Sequence, residues 1–123
     1  MNKEFVTYEQ ALELKELGFD ESCFGVYSEH DKTRVYDESA IREGLKIQAP
    51  LYQQAFRWFR EKHGLFVAPS VISYENDPYL WFFEINSTIL PIGTYLEGTD
   101  DYKTYEEAEQ ACLDKLIEIC KTK

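Results

Sequence analysis

The sequence predicts an α+β fold: three helices packed on a small antiparallel meander of about three strands. Apolar residues recur at helical spacing in three segments, near 7–18, 50–63 and 104–120. Between the last two, a stretch rich in Phe, Val, Ile and Tyr changes to strand-like patterning. The helical and strand-like segments fall in separate runs, which argues against a parallel doubly wound sheet.

The first helix begins at Thr7, an N-cap residue with Gln10 three positions on to close a capping box. Ala11, Leu12, Leu14 and Leu17 give it one apolar face, and Gly18-Phe19 reads as a glycine stop followed by an apolar contact. The sequence then admits a small hairpin, Phe24 to Ser28 with Thr33 to Tyr36, across the polar Glu29-His30-Asp31-Lys32. Residues 37–48 form the most polar connection and the segment expected to move most. The second helix is expected to open at Ala49-Pro50, with Pro in the first turn, and to run to His63-Gly64.

Strands are expected over Leu65 to Tyr74, Tyr79 to Asn86 and Ile89 to Leu96. The turn cluster Glu75-Asn76-Asp77-Pro78 separates the first two, while Pro91 and Gly93 mark the third as an edge or irregular strand. The third helix starts at Thr104 with Glu107 as its box partner. Its wide apolar arc (Ala108, Ala111, Cys112, Leu113, Leu116, Ile117, Ile119, Cys120) predicts the most buried of the three helices. No linker is long enough to divide the chain, so one domain over residues 1–123 is expected.

Composition narrows the function. Aromatic residues make up 15% of the chain, enough apolar material for a core and too much for a disordered segment. The net charge is −10, which repels a phosphate backbone and an anionic membrane surface alike. Three scattered cysteines, Cys23, Cys112 and Cys120, read as reduced thiols of a cytoplasmic protein. No apolar run is long enough to span a membrane.

The side chains that carry chemistry have structural readings. The repeated Thr-Tyr-Glu-x-Ala, at 7–11 and 104–108, is helix initiation. Cys23 and His30 lack the surroundings of an activated nucleophile, and Cys112 and Cys120 lie two turns apart on one helical face. His30 and His63 have no companions at metal-ligand spacing. Neither acidic cluster, 75–77 or 97–101, has the order of a calcium loop. The expectation is therefore no catalytic residue, no metal and no cofactor.

Two features point outward instead. Residues 49–65 form the one net-basic stretch, through Arg57, Arg60 and Lys62. The strand from Tyr79 places Tyr79, Trp81, Phe83 and Ile85 on one face and Leu80, Phe82 and Glu84 on the other, so both faces begin apolar. Gln53, Arg57, Arg60, Tyr79, Trp81 and Phe83 are the candidate partner surface, and a homodimer through the aromatic sheet follows from it.

Phe5 to Ala11 with Gly18 to Glu21, Ala49 to Arg60, and Thr104 to Glu109 together resemble a family of small uncharacterised proteins from gut Bacteroidetes genomes and their phages. The resemblance spans most of the chain and implies a prophage or mobile-element setting. No activity is assigned in that family, so no functional residue carries over. The function expected is a non-enzymatic module that binds another protein or itself. The alternatives are an acidic nucleic-acid mimic that inhibits a DNA-binding enzyme, and a small-ligand binder or enzyme. The last would use a cleft between the aromatic sheet and helix 50–63, lined by Tyr52, Trp58 and Trp81.

Overall fold

The computed structural model describes residues 2–41, 44–73, 79–87 and 94–121, and of residues 2 and 94–97 the backbone alone. The fold is α+β, with three helices and two three-stranded antiparallel sheets. The chain divides into two compact units, Met1–Ala55 and Phe56–Lys123, and the division falls inside a helix rather than in a linker.

In the first unit, helix α1 (Tyr8–Glu16) starts and stops as its sequence dictates. The Thr7 hydroxyl accepts from the Gln10 N–H at 3.1 Å, and the Gln10 side-chain oxygen accepts from the Thr7 N–H at 3.0 Å. Two orphan donors of the first turn are thereby satisfied. At the other end Gly18 adopts a φ of +104°. The Phe19 N–H then reaches the Leu14 carbonyl (3.0 Å) and the Gly18 N–H that of Lys15 (3.1 Å), a complete Schellman stop.

Strands β1 (Gly25–Ser28) and β2 (Asp31–Tyr36) form the hairpin, with its turn at Glu29-His30, tighter than the four-residue loop expected. A strand the sequence reading passed over, β3 (Lys46–Ala49), pairs antiparallel with the far side of β1, giving the order β2-β1-β3. The connection expected to be mobile thus carries a 3-10 turn at Glu38–Ala40, capped by Asp37, and a strand; Arg42 and Glu43 lie outside the described residues. Ile47 and Ala49 of β3 are buried, and α1 packs against this strand.

Helix α2 (Tyr52–His63) begins two residues after Pro50 instead of on it. The cause is extended pairing: the Val6 N–H donates to the Pro50 carbonyl at 3.0 Å, and Phe5 bridges to Leu51. Gly64, at φ +66°, ends the helix in the left-handed conformation.

The second unit holds the meander β4 (Leu65–Ser73), β5 (Tyr79–Ser87) and β6 (Thr94–Gly98), in the order β4-β5-β6. Residues 74–78 and 88–93, including the expected turn cluster and the start of the third expected strand, lie outside the described residues. β5 is bordered along its length. Past β6, Thr99 takes the Phe83 N–H on its hydroxyl and gives its own N–H to the Phe83 carbonyl, both at 2.9 Å. Trp81 and Tyr102 exchange a further N–H···O pair at 2.7 and 2.8 Å.

Helix α3 (Tyr105–Lys121) packs on β5 through Ala108, Glu109, Cys112, Leu113, Leu116 and Ile117. Its N-cap Thr104 accepts from the Glu107 N–H at 3.1 Å and donates its hydroxyl proton to the Glu107 carboxylate at 3.0 Å. The two Thr-Tyr-Glu-x-Ala copies therefore both serve as helix starts. Among the described residues no helix is long and apolar enough to cross a membrane.

Candidate functional site

The second sheet has two faces with different fates. Register pairs Val67 with Ile85, Pro69 with Phe83 and Val71 with Trp81, so these residues share one face. The helices of the unit meet that face. Tyr105 lies edge-on to Trp81 (centroids 5.3 Å apart, 87° between planes) and tilted against Phe83 at 5.5 Å, and Phe56 of α2 touches Phe83 at 5.9 Å. Phe83 and Ile85 are core.

The opposite face carries Phe66, Ala68, Ser70 and Ile72 of β4 and Leu80, Phe82, Glu84 and Asn86 of β5, every one half-buried. All three helix contacts given above lie on the other side. Apolar side chains predominate, and Glu84 is the one charge among these eight residues. Its cross-strand neighbours are the two smallest available, Ala68 on β4 and Gly98 on β6. Phe82 lies two positions before Glu84 on the same strand and Phe66 on the diagonal, roughly 7 Å away. Its charge is met by no ion pair or side-chain hydrogen bond among the described residues.

Six residues were expected to form a partner surface, and they divide. Gln53, Arg57 and Arg60 are all exposed and share one outer stripe of α2 at i, i+4 and i+7. Tyr79 is 68% exposed, and with exposed Val71 and Pro69 it ends the helix-facing side of the sheet in an uncovered apolar edge. Trp81 is half-buried beneath Tyr105, and Phe83, at 1% exposure, is core and offers no surface. Of the cleft residues, Tyr52 is buried with its hydroxyl donating to the Gln10 side-chain oxygen at 2.9 Å. Trp58 is buried against Phe59 and His63, its ring 5.0 Å from each.

One polar side chain lies where no polar residue was expected. Glu109 occupies the buried arc of α3 at 8% exposure. Its carboxylate accepts a hydrogen bond from the Tyr105 hydroxyl, and burial, with the like charge of Glu106 second, raises its pKa to about 7. The signal was present in the spacing: Glu109 sits three and four residues before Cys112 and Leu113, inside the arc they define.

The thiols of Cys23 and Cys112 are not activated. Burial, then the Glu21 carboxylate, push Cys23 up to about 11, and burial with Glu109 pushes Cys112 higher still. Among the described residues no group of three His, Cys, Asp or Glu side chains could hold a metal ion. No family model, curated protein or solved structure matches the chain.

Proposed function

We propose that the chain is a protein-binding accessory module and that the half-exposed apolar face of the β4–β6 sheet is its contact surface. The observation that carries this reading is Phe66, Ile72, Leu80 and Phe82, aligned on one sheet face and only half-buried, while on the opposite face the helices take Trp81 and Phe83. Contiguous apolar surface of this kind marks contact with another chain. The raised Cys23 and Cys112 thiols run opposite to what nucleophilic catalysis requires. Free cysteines suit a reducing compartment, the cytoplasm, in keeping with the mobile-element setting that the resemblance implies.

The test is site-specific photocrosslinking in the cells that make the protein. A benzophenone side chain is placed at Phe82 and, as control, at the exposed Glu118 of α3. A discrete adduct from position 82 and none from 118 is expected, and light scattering then separates self-association from a second protein. No adduct, or the same adduct from both positions, sinks the reading.

The nucleic-acid mimic requires an unbroken row of carboxylates. On α3 the exposed acids Glu106, Glu107, Asp114 and Glu118 have Lys103, Lys115 and Lys121 among them, so the contact-surface reading is preferred.

A further inference from the structure

We propose that this face takes a basic, apolar polypeptide segment and seats one of its Lys or Arg side chains on Glu84, between Phe66 and Phe82. The inference rests on the contact-surface reading and adds the chemistry of the occupant.

Three observations meet at Glu84. The residue is half-buried and is the one charge among the eight described on this face, yet among the described residues no cation or side-chain donor meets it. A polar or charged group that a docking partner covers must find its counterpart in that partner. The row Ala68–Glu84–Gly98, running across three strands, sets the two smallest residues on either side of Glu84. A lysine or arginine stem can lie along this row. Phe66 and Phe82 border it, and an aromatic face attracts a cation as it does an apolar stem.

The chain's charge favours the same occupant. At −10 it draws a basic partner and repels an acidic one or a second copy of itself. Apolar neighbours along the partner segment would cover Ile72 and Leu80 on the same face. Lys or Arg set among alternating apolar residues is therefore the pattern that fits.

The experiment titrates the full chain, followed by amide NMR, with two synthetic strand-forming peptides that differ at one central position, Lys in one and norleucine in the other. The Lys peptide is expected to bind about fivefold more tightly, to shift amides around Glu84, Ala68 and Gly98, and to weaken with added salt. Glu84→Gln should abolish the preference while leaving the thermal melt unchanged, because the side chain is only half-buried and has no partner among the described residues. Equal binding of both peptides at this face, unaltered in E84Q, overturns the inference and leaves the contact surface standing. No shift on the face with either peptide overturns the inference and counts against the surface as well.

Discussion

The hydroxyl of Tyr105 holds the carboxylate of Glu109 one turn further along α3, inside the arc that the helix buries against β5. Among the described residues the titratable groups that act on that carboxylate are Tyr105, Glu106 and Cys112, all on α3 itself, and none supplies a positive charge. The rings it meets from β5, through Tyr105, are Trp81 and Phe83, which do not titrate.

Stability should therefore fall as pH rises across the neutral range. The folded state binds the Glu109 proton near pH 7, the unfolded chain near 4.5, so the group's contribution is complete below about 4.5. It is lost as pH rises through 7, by on the order of 2–3 kcal/mol in all. Glu109→Gln, neutral throughout and still able to accept from Tyr105, should flatten the slope and exceed the native protein above pH 7. Urea midpoints at pH 5, 6, 7 and 8 decide it; parallel slopes in the two proteins would show that Glu109 ionises freely when folded.

In the first unit the sensitive polar residue is Gln10, 2% exposed, whose side-chain oxygen accepts from both the Thr7 N–H and the Tyr52 hydroxyl. Thr7→Ala removes one cap and should cost about 1 kcal/mol. Gln10→Ala breaks the box and removes the acceptor of the Tyr52 hydroxyl, so about 2–3 kcal/mol is expected. A double-mutant cycle with Tyr52→Phe should return a coupling of about 1 kcal/mol. Additive effects would mean that the two side chains act independently.

Two glycines should answer alanine differently. A Cβ on Gly18 meets nothing within 4 Å, so only the φ of +104° is strained, at about 1–2 kcal/mol. A Cβ on Gly25 would fall on the Val35 side chain, with the Phe5 ring and the Tyr36 carbonyl next in line. Val is stiff at χ1, and Gly25→Ala should cost the more of the two, about 2–3 kcal/mol, with the β1–β2 pairing disturbed. Thermal melts rank them, and the reverse order would refute the argument.

Pro69 sits in the middle of β4, an edge strand. Its partner Phe83 directs both backbone groups to Thr99, away from β4, and an antiparallel residue aims both groups the same way. The Pro69 nitrogen therefore faces the outer edge, where it removes a donor that a second chain would use. Pro69→Thr should make the protein associate with rising concentration, visible by light scattering. A variant as monodisperse as the parent would show that the edge is protected by other means.

Much of this fold was legible because its signals are local. Thr7, Gln10, Gly18 and Thr104 announce helix ends through bonds to residues within five positions. What escaped depends on distant pairing. Strand β3 offers only Ile47 and Ala49 between polar neighbours, and its reason to be extended is β1, some twenty residues earlier. The start of α2 moved for the same reason, since Pro50 answers to Val6. Phe83 shared its alternation with Trp81 and Tyr79, and nothing in that pattern tells which end of the strand a helix will cover. Glu109 is the reverse case: its spacing places it inside the arc, and an arc drawn from apolar residues alone leaves it out.

The position of Val6 has a consequence for exchange with solvent. Its N–H is given to Pro50, its carbonyl takes the Tyr27 hydroxyl at 2.7 Å, and its side chain is fully buried. An amide outside any helix or strand would ordinarily exchange its hydrogen for deuterium within moments. Here the bond opens only when β1 and the lead-in to α2 part together, so Val6 belongs with the slowest amides of its unit rather than with the frayed ones.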